Sequence, residues 1–383
     1  MRLIFAATLV AAIGFAQSSL NPSRVAAAMK YFEPVPGERQ LKCDVTPIPP
    51  QLNFSFRFQT GYILRIPMRQ FSGTGHRWSV VARVTPGSGP QSILGEQRRL
   101  PNVPENTKVT GELGGGFWVG EVKYKIDWVL FDEQGRVCRK QWKIEAKLNG
   151  TERGITPGIA PGTVAQVSFR RWSAQAASAT DAPPLHRLTV FLHAAPIFPR
   201  STRLRVQDRL TLMGSLASLL EHVPARAVRL VIFNLDQQEE IFRSDAFTPE
   251  EFDQAAQSLN SLQLALVNYS VLKNRRGHVD FLAHLINEEL NATDPSDAVI
   301  FMGPATRYID SVRASELQEH AGELGQYFYL QYKPYMRVRS EVPDSIQRAL
   351  RRVHGKKIDI RTPDDFARAI RQIEAQVVTR KQP

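Results

Sequence analysis

Few residues in this chain are of a type and in a position to do chemistry. His193 follows the apolar run Leu188-Thr189-Val190-Phe191-Leu192, and an imidazole at the end of a strand can move a proton or bond a carboxylate near neutral pH. Asp236 closes a second apolar run, Val228 to Leu235, and is the natural acid partner for it. Arg275, Arg276, His278, Arg307 and Tyr308 stand in polar stretches next to later apolar runs. Such a set can bind a polar partner. With His193 and a loop carboxylate as base and acid it could also serve an envelope hydrolase or transferase.

Other chemistries lack their residues. No Gly-x-Ser-x-Gly elbow and no His-Glu-x-x-His occur, and His278 and His284 are six apart, the wrong interval for two histidines on one helical metal face. Gly114-Gly115-Gly116 precedes a strand and not a helix, so it is no phosphate loop. Glu250-Glu251 and Asp364-Asp365 follow Thr-Pro at helix starts, where the backbone dipole accounts for them. An enzyme is not expected, nor any cofactor or metal.

Cys43 and Cys138 are the two cysteines. Two thiols are too few for zinc, and export would oxidise them, so one disulfide is expected. Arg2, the apolar run Leu3 to Phe15 and the small residues around Ala16 read as a signal peptide over residues 1–16. Its apolar core is too short to span a bilayer of about 30 Å. A periplasmic or secreted protein, cleaved near Ala16 and without a transmembrane segment in the mature chain, is the resulting expectation. The chain has 383 residues, with 49 Lys and Arg against 37 Asp and Glu. Nucleic acid is not expected in that compartment, whereas an acidic envelope or extracellular protein would suit the basic excess.

The elements that must position these residues fall into two patterns. Residues 31–150 show short alternating segments rich in β-branched and aromatic residues, as in a β-sandwich. Candidate strands include Gln51 to Arg57, Tyr62 to Met68, Trp78 to Val84, Phe117 to Val119, Tyr124 to Asp132 and Val137 to Leu148. Gly114-Gly115-Gly116 and Asp132 to Gly135 are expected to be turns. The aromatics Phe54, Phe56, Trp78, Trp128 and Trp142 are expected in the core, although the same residue types could line a carbohydrate platform. Residues 151–185 shift to Pro, Gly, Ala and Ser and read as a linker. From 186 to 378, apolar runs alternate with helical periods and with the starts Thr248-Pro249 and Thr362-Pro363.

Leu188 to Leu192, then Val228 to Asp236 with Glu240 to Phe242 as a short antiparallel edge, and Ala298 to Gly303 resemble the von Willebrand factor A domain family. That resemblance implies a metal-ion-dependent adhesion site, Asp-x-Ser-x-Ser, after the first of these strands. The matching positions are His193, Ala195 and Ile197, and Gly303-Pro304 stands where the family has a later aspartate. The oxygens that would suit magnesium are absent. The expected class is therefore multidomain: an N-terminal all-β immunoglobulin-like sandwich, then an α/β doubly wound, mainly parallel sheet of Rossmann type. The expected function is non-catalytic binding or scaffolding through the loop edge of that sheet.

Overall fold

The computed structural model describes residues 18–19, 22–167, 185–198, 201–264, 269–318, 325–333 and 342–380. The expected signal peptide with its cleavage point, and most of the expected linker, lie outside the described residues. Two compact units are present, Met1–Ser168 and Phe169–Pro383.

The first unit contains β1 (Ser18–Ser19), α1 (Pro22–Met29), β2 (Asp44–Leu52), β3 (Phe58–Pro67), β4 (Arg77–Pro86) and β5 (Ser92–Arg99). It continues with β6 (Thr110–Val119), β7 (Lys123–Asp132), β8 (Val137–Glu145) and β9 (Val164–Gln166). One sheet runs β1-β5-β4-β7-β8 and the other β2-β3-β6-β9. All their strand pairings are antiparallel. In β7, Tyr124, Ile126, Trp128 and Leu130 are all buried, the period of two that a strand with a core face requires. Trp128 meets Tyr62 of β3 edge-on, centroids 5.3 Å apart, and so joins the two sheets. The expected disulfide is present: Cys43, just ahead of β2, is bonded to Cys138 in β8.

Two local expectations fail here. Gly114-Gly115-Gly116 lies inside β6, paired with Ile63, Tyr62 and Gly61, and is not a turn. A Cβ on Gly115 would overlap the Tyr62 ring, and one on Gly61 would overlap the Gly115 carbonyl. Glycine is needed there for close approach. Gln51 to Arg57 is not a strand either, because β2 ends at Leu52. The Asn53 side chain accepts bonds from the Ser55 N–H at 2.9 Å and the Arg57 N–H at 3.2 Å, an Asx turn that wins over the apolar alternation. Phe56, Trp78 and Trp128 are buried as expected, while Phe54 and Trp142 are only half-buried.

The second unit contains β10 (Leu185–His193), α2 (Val206–His222), β11 (Ala225–Asn234), β12 (Glu239–Ser244), α3 (Phe252–Ser258) and α4 (Tyr269–Lys273). There follow α5 (Gly277–Leu290), β13 (Ala298–Pro304), β14 (Gln326–Tyr332), α6 (Ser345–Leu350), β15 (Lys356–Ile360) and α7 (Pro363–Arg380). The sheet order is β12-β11-β10-β13-β14-β15. Every residue of β13 is buried, as a strand covered on both faces must be. Phe191, Phe233, Phe301 and Tyr329 of the sheet pack with Val279, Leu282 and Ile286 of α5 and with Ile346 of α6. Tyr332 meets Phe366 of α7, centroids 6.3 Å apart.

The fold class expected from the sequence is corrected by the pairings. The first unit is built of two antiparallel sheets, and the sheet of the second is mixed, since β12 runs antiparallel to β11 while the other four pairings are parallel. The chain is a mixed structure of antiparallel and mixed sheets with helices, not a doubly wound parallel α/β protein. The physical reason at β12 is loop length. Four residues separate Asn234 from Glu239, and Gln238 turns through a left-handed φ of 55°. A parallel return would need a crossover of a dozen residues or more.

Candidate functional site

β10, β11, β13 and β14 end at one edge of the mixed sheet, and buried polar side chains stand at or near these ends. His193 closes β10. It is 3% exposed, its ring lies against Phe233 at 5.3 Å, and its Nδ1 is 3.1 Å from the Pro304 carbonyl oxygen. Gly303 makes room for it: its φ is 142°, and a Cβ at that position would stand only 2.6 Å from the His193 carbonyl oxygen. Burial pushes the His193 imidazole below its usual range, against the Pro304 bond and the charges of Asp236 and Asp344. Among the described residues no carboxylate oxygen is within hydrogen-bond distance of this ring. Ala195 and Ile197, which follow it, are also buried. The segment is anchored by Asp208 of α2, which accepts from the backbone N–H of Ile197 at 3.2 Å and of Arg205 at 2.8 Å.

The other expected residues form a chain of contacts above this layer. Asp236 pairs with Arg307 at 2.9 Å, and the Arg307 guanidinium lies over the Tyr308 ring. Tyr308 stacks on His278, centroids 3.9 Å apart and planes 14° apart. His278 Nε2 stands 3.0 Å from Asp310. Its imidazole is lowered first by burial, with Asp310 working in the opposite direction. Arg276 pairs with Glu316 at 2.9 Å. Arg275 is exposed and has no carboxylate partner among the described residues. The structure thus joins Asp236, Arg307, Tyr308 and His278 in one rim and leaves His193 beneath it. Ile309, in the same segment, is 56% exposed.

Sequence reasoning missed the groups that hold this rim. Asp344 is buried at the N-cap of α6 and accepts from the Gln347 N–H at 2.8 Å. It also accepts from the Tyr329 hydroxyl at 2.9 Å, the Gln331 amide at 2.8 Å and the Thr306 N–H at 3.1 Å. Ser345 donates its N–H to the Tyr308 carbonyl at 2.9 Å. Two backbone bonds therefore fix the loop from both sides of Arg307. The signal in the sequence was an Asp directly before a helical period, the usual capping residue. Asn234, fully buried, donates to the Ala194 carbonyl at 2.7 Å and ties β11 to the turn after His193. Lys333, at the end of β14, is pushed down to about 8, first by burial and then by the neighbouring Lys357. It lies 3.3 Å from Asp359.

Among the described residues, one group of metal-type ligands occurs elsewhere in this unit. Glu240, His284 and Glu288 bring their ligand atoms within 4.8 Å of one another, and the i, i+4 spacing of His284 and Glu288 was visible in the sequence. The Arg243 guanidinium already bonds both Glu240 and Glu288, each at 2.5 Å, so a cation is supplied by the chain itself. No described helix is long and apolar enough to cross a membrane.

No family model matches the chain, and no curated protein matches it. Solved structures give faint likenesses. The protein called ApaA from Bordetella pertussis aligns at 16% identity over 29% of this chain and 99% of its own, with a TM-score of 0.19. OgpA from Akkermansia muciniphila aligns at 9% identity over 39% of this chain and 38% of its own, TM-score 0.21. A Bacteroides uniformis beta-glucuronidase aligns at 7% identity over 88% of this chain and 38% of its own, TM-score 0.20. Similarities of this size assign neither a fold nor an activity to the chain.

Proposed function

We propose that this is an exported, non-catalytic binding or scaffolding protein that engages another envelope or extracellular protein through the rim Asp236, Arg275, Arg276, His278, Arg307 and Tyr308. The observation that carries the reading is the loop at 305–310. It is clamped by Asp344 and Ser345 from below, yet presents Arg307 and Ile309 outward with Tyr308 between them. A rigid loop with an arginine, a tyrosine and an exposed aliphatic is the composition of a protein-binding hot spot, and its rigidity lowers the entropy cost of association. The resemblance to von Willebrand factor A domains supports the same edge, with His193, Ala195 and Ile197 in place of the metal-binding oxygens. Arg275, without an acid to neutralise it among the described residues, favours an acidic partner.

The second reading, an envelope hydrolase or transferase using His193, has less support. General base catalysis needs the imidazole within reach of a substrate proton, and this ring is buried on the Pro304 carbonyl while Asp236 is engaged by Arg307. The disulfide supports export. The test is affinity capture of full-length wild type and of the Arg307→Glu, Ile309→Asp double variant from envelope extracts at low and moderate salt. A protein retained by wild type and lost with the variant supports the rim. Identical capture by both, or none by either, overturns it.

A further inference from the structure

Helix α1 lies on the outer face of the β1-β5-β4-β7-β8 sheet, where Ala28 and Phe32 cluster with Val81, Val129 and Val137. Between the helix and strands β4 and β5 runs a groove of about 620 Å³, within the range of about 300–1,000 Å³ of ligand sites. Small residues give it depth: Gly95 and Ser79 on the floor, Ala27 and Ala28 on the helix wall. Gln97 adds an amide, and Lys30 holds its ammonium 4.9 Å from the Tyr31 ring, which stacks on Phe131 at 3.9 Å. The floor is short. Ser79 pairs with Gln97 and Val81 with Gly95, so it covers two rows of the sheet, about 7 Å along the strands. That length seats one sugar ring and not an extended peptide.

One end of the groove is basic. In the next row Arg77 stands opposite Arg99. Alternate residues of a strand share a face, so this pair points the same way as Ser79 and Gln97, and the opposite way from Trp78 and Arg98. Both arginines are exposed, and among the described residues neither guanidinium has a carboxylate partner. The acids beside them are taken, Glu96 by Arg98, and Glu133 by His76 Nδ1 at 2.7 Å and the Arg77 backbone N–H at 2.9 Å. Like charges opposite each other across two strands destabilise the pair, and an oxyanion between two guanidiniums relieves it with charge-assisted bonds. Lys30 adds a further cation, so a dianion matches the groove better than a monocarboxylate.

We infer that this groove binds a sugar phosphomonoester, its phosphate between Arg77 and Arg99 and its ring over Gly95 with hydroxyls on Ser79 and Gln97. The site lies in the first unit and does not depend on the reading given for the rim of the second. Titration calorimetry of the full chain with glucose-6-phosphate, glucose and inorganic phosphate tests it. Glucose-6-phosphate should bind one to one, inorganic phosphate at least about tenfold more weakly, and glucose not measurably. Arg77→Gln and Arg99→Gln should each weaken glucose-6-phosphate about tenfold, while the melting temperature holds or rises because the like-charge pair is gone. Ala27→Trp, at an exposed position of the groove wall, should abolish binding. Lys143→Gln, on the same sheet face but away from the groove, should leave it unchanged. Vesicles carrying a phosphatidylinositol monophosphate present the same group on a lipid. Sedimentation with them that glucose-6-phosphate competes away would make the source a membrane headgroup, and no sedimentation would make it a free sugar phosphate. Absence of saturable glucose-6-phosphate binding, equal affinity for inorganic phosphate, or a loss from Lys143→Gln as large as from Arg99→Gln would overturn the proposal.

Discussion

Tyr308 lies flat on His278, ring centroids 3.9 Å apart, and His278 in turn bonds Asp310 only two residues beyond the tyrosine. The loop therefore grips the first turn of α5 twice. Tyr308→Ala should free the segment and expose the imidazole, costing about 1–3 kcal/mol of stability. Tyr308→Phe keeps the stack and should be nearly neutral. Denaturant unfolding of both variants measures the difference, and equal losses would mean the ring contact carries no weight.

Asp344 serves four donors from β14, α6 and the 305–310 loop. Asp344→Ala leaves the Tyr329 hydroxyl and the Gln331 amide buried without their acceptor, and bonds to a charged group contribute roughly 1.5–3 kcal/mol each. The variant should lose at least about 3 kcal/mol, and partner capture by the rim should fall with it. A variant as stable as wild type would show that the network is not what holds the loop.

The two units should respond oppositely to mild acid. His193 and His278 are held below the ordinary histidine value, each first by burial. The charged groups about His278 are Asp310, Arg276 and Asp280. A group with a depressed folded pKa takes its proton preferentially when unfolded, so its contribution is complete above about pH 6.5 and is lost as pH falls below that. His76 is raised, first by its bond to Glu133 and then by the Ser72 carbonyl. Its contribution is complete below about pH 6.5 and is lost as pH rises through the raised value. Hydrogen exchange, corrected for intrinsic rates, should show protection in the second unit falling between about pH 7.5 and pH 5.5. The strands beside His76 should hold or gain over the same interval, and His76→Gln should remove the gain. Parallel loss in both units would contradict these environments.

Gly115→Ala should destabilise the first unit by about 1–3 kcal/mol through overpacking against the Tyr62 ring. Gly61→Ala should cost more, because its Cβ meets the Gly115 backbone carbonyl, which cannot swing aside. Adding Tyr62→Ala to Gly115→Ala should recover part of the loss relative to additivity. Thermal melts of wild type, Gly61→Ala, Gly115→Ala, Tyr62→Ala and the double variant decide it, and strictly additive effects of Gly115→Ala and Tyr62→Ala would refute the contact.

Cys43→Ala with Cys138→Ala opens a loop of 95 residues. The chain-entropy model puts the loss at about 4–5 kcal/mol. Unfolding of the double variant against the oxidised wild type measures it, and a loss under about 1 kcal/mol would show that the bridge adds little to the packed sheets.

Much of the element order was legible because it rests on local periodicity. The strand expected from Tyr124 to Asp132 lies within β7, and Ala298 to Gly303 lies within β13. What was not legible depends on partners distant in sequence. The triple glycine looks like a turn until Tyr62 is laid across it. Asn53 overrides the alternation of Leu52, Phe54 and Phe56 because its side chain reaches its own backbone. The antiparallel edge at β12 was readable from its short loop, yet one such strand is enough to make the sheet mixed. At the site, the position of His193 at a strand end was readable, whereas its burial follows from Gly303, Pro304 and Phe233, which arrive from other strands. Asp344 was invisible as a site residue because its role is set by β14 and by the loop it caps.

The bridge between Cys43 and Cys138 also imposes an order of events on a nascent chain. At about 5–20 residues per second, the second thiol follows the first by roughly 5–19 s. During that interval Cys43 has no mate within its own polypeptide, so a disulfide it forms then is a mixed one with a foreign thiol. Closure waits for Cys138 to be delivered in β8, the edge strand of its sheet, which makes the bond a time stamp on the arrival of that strand.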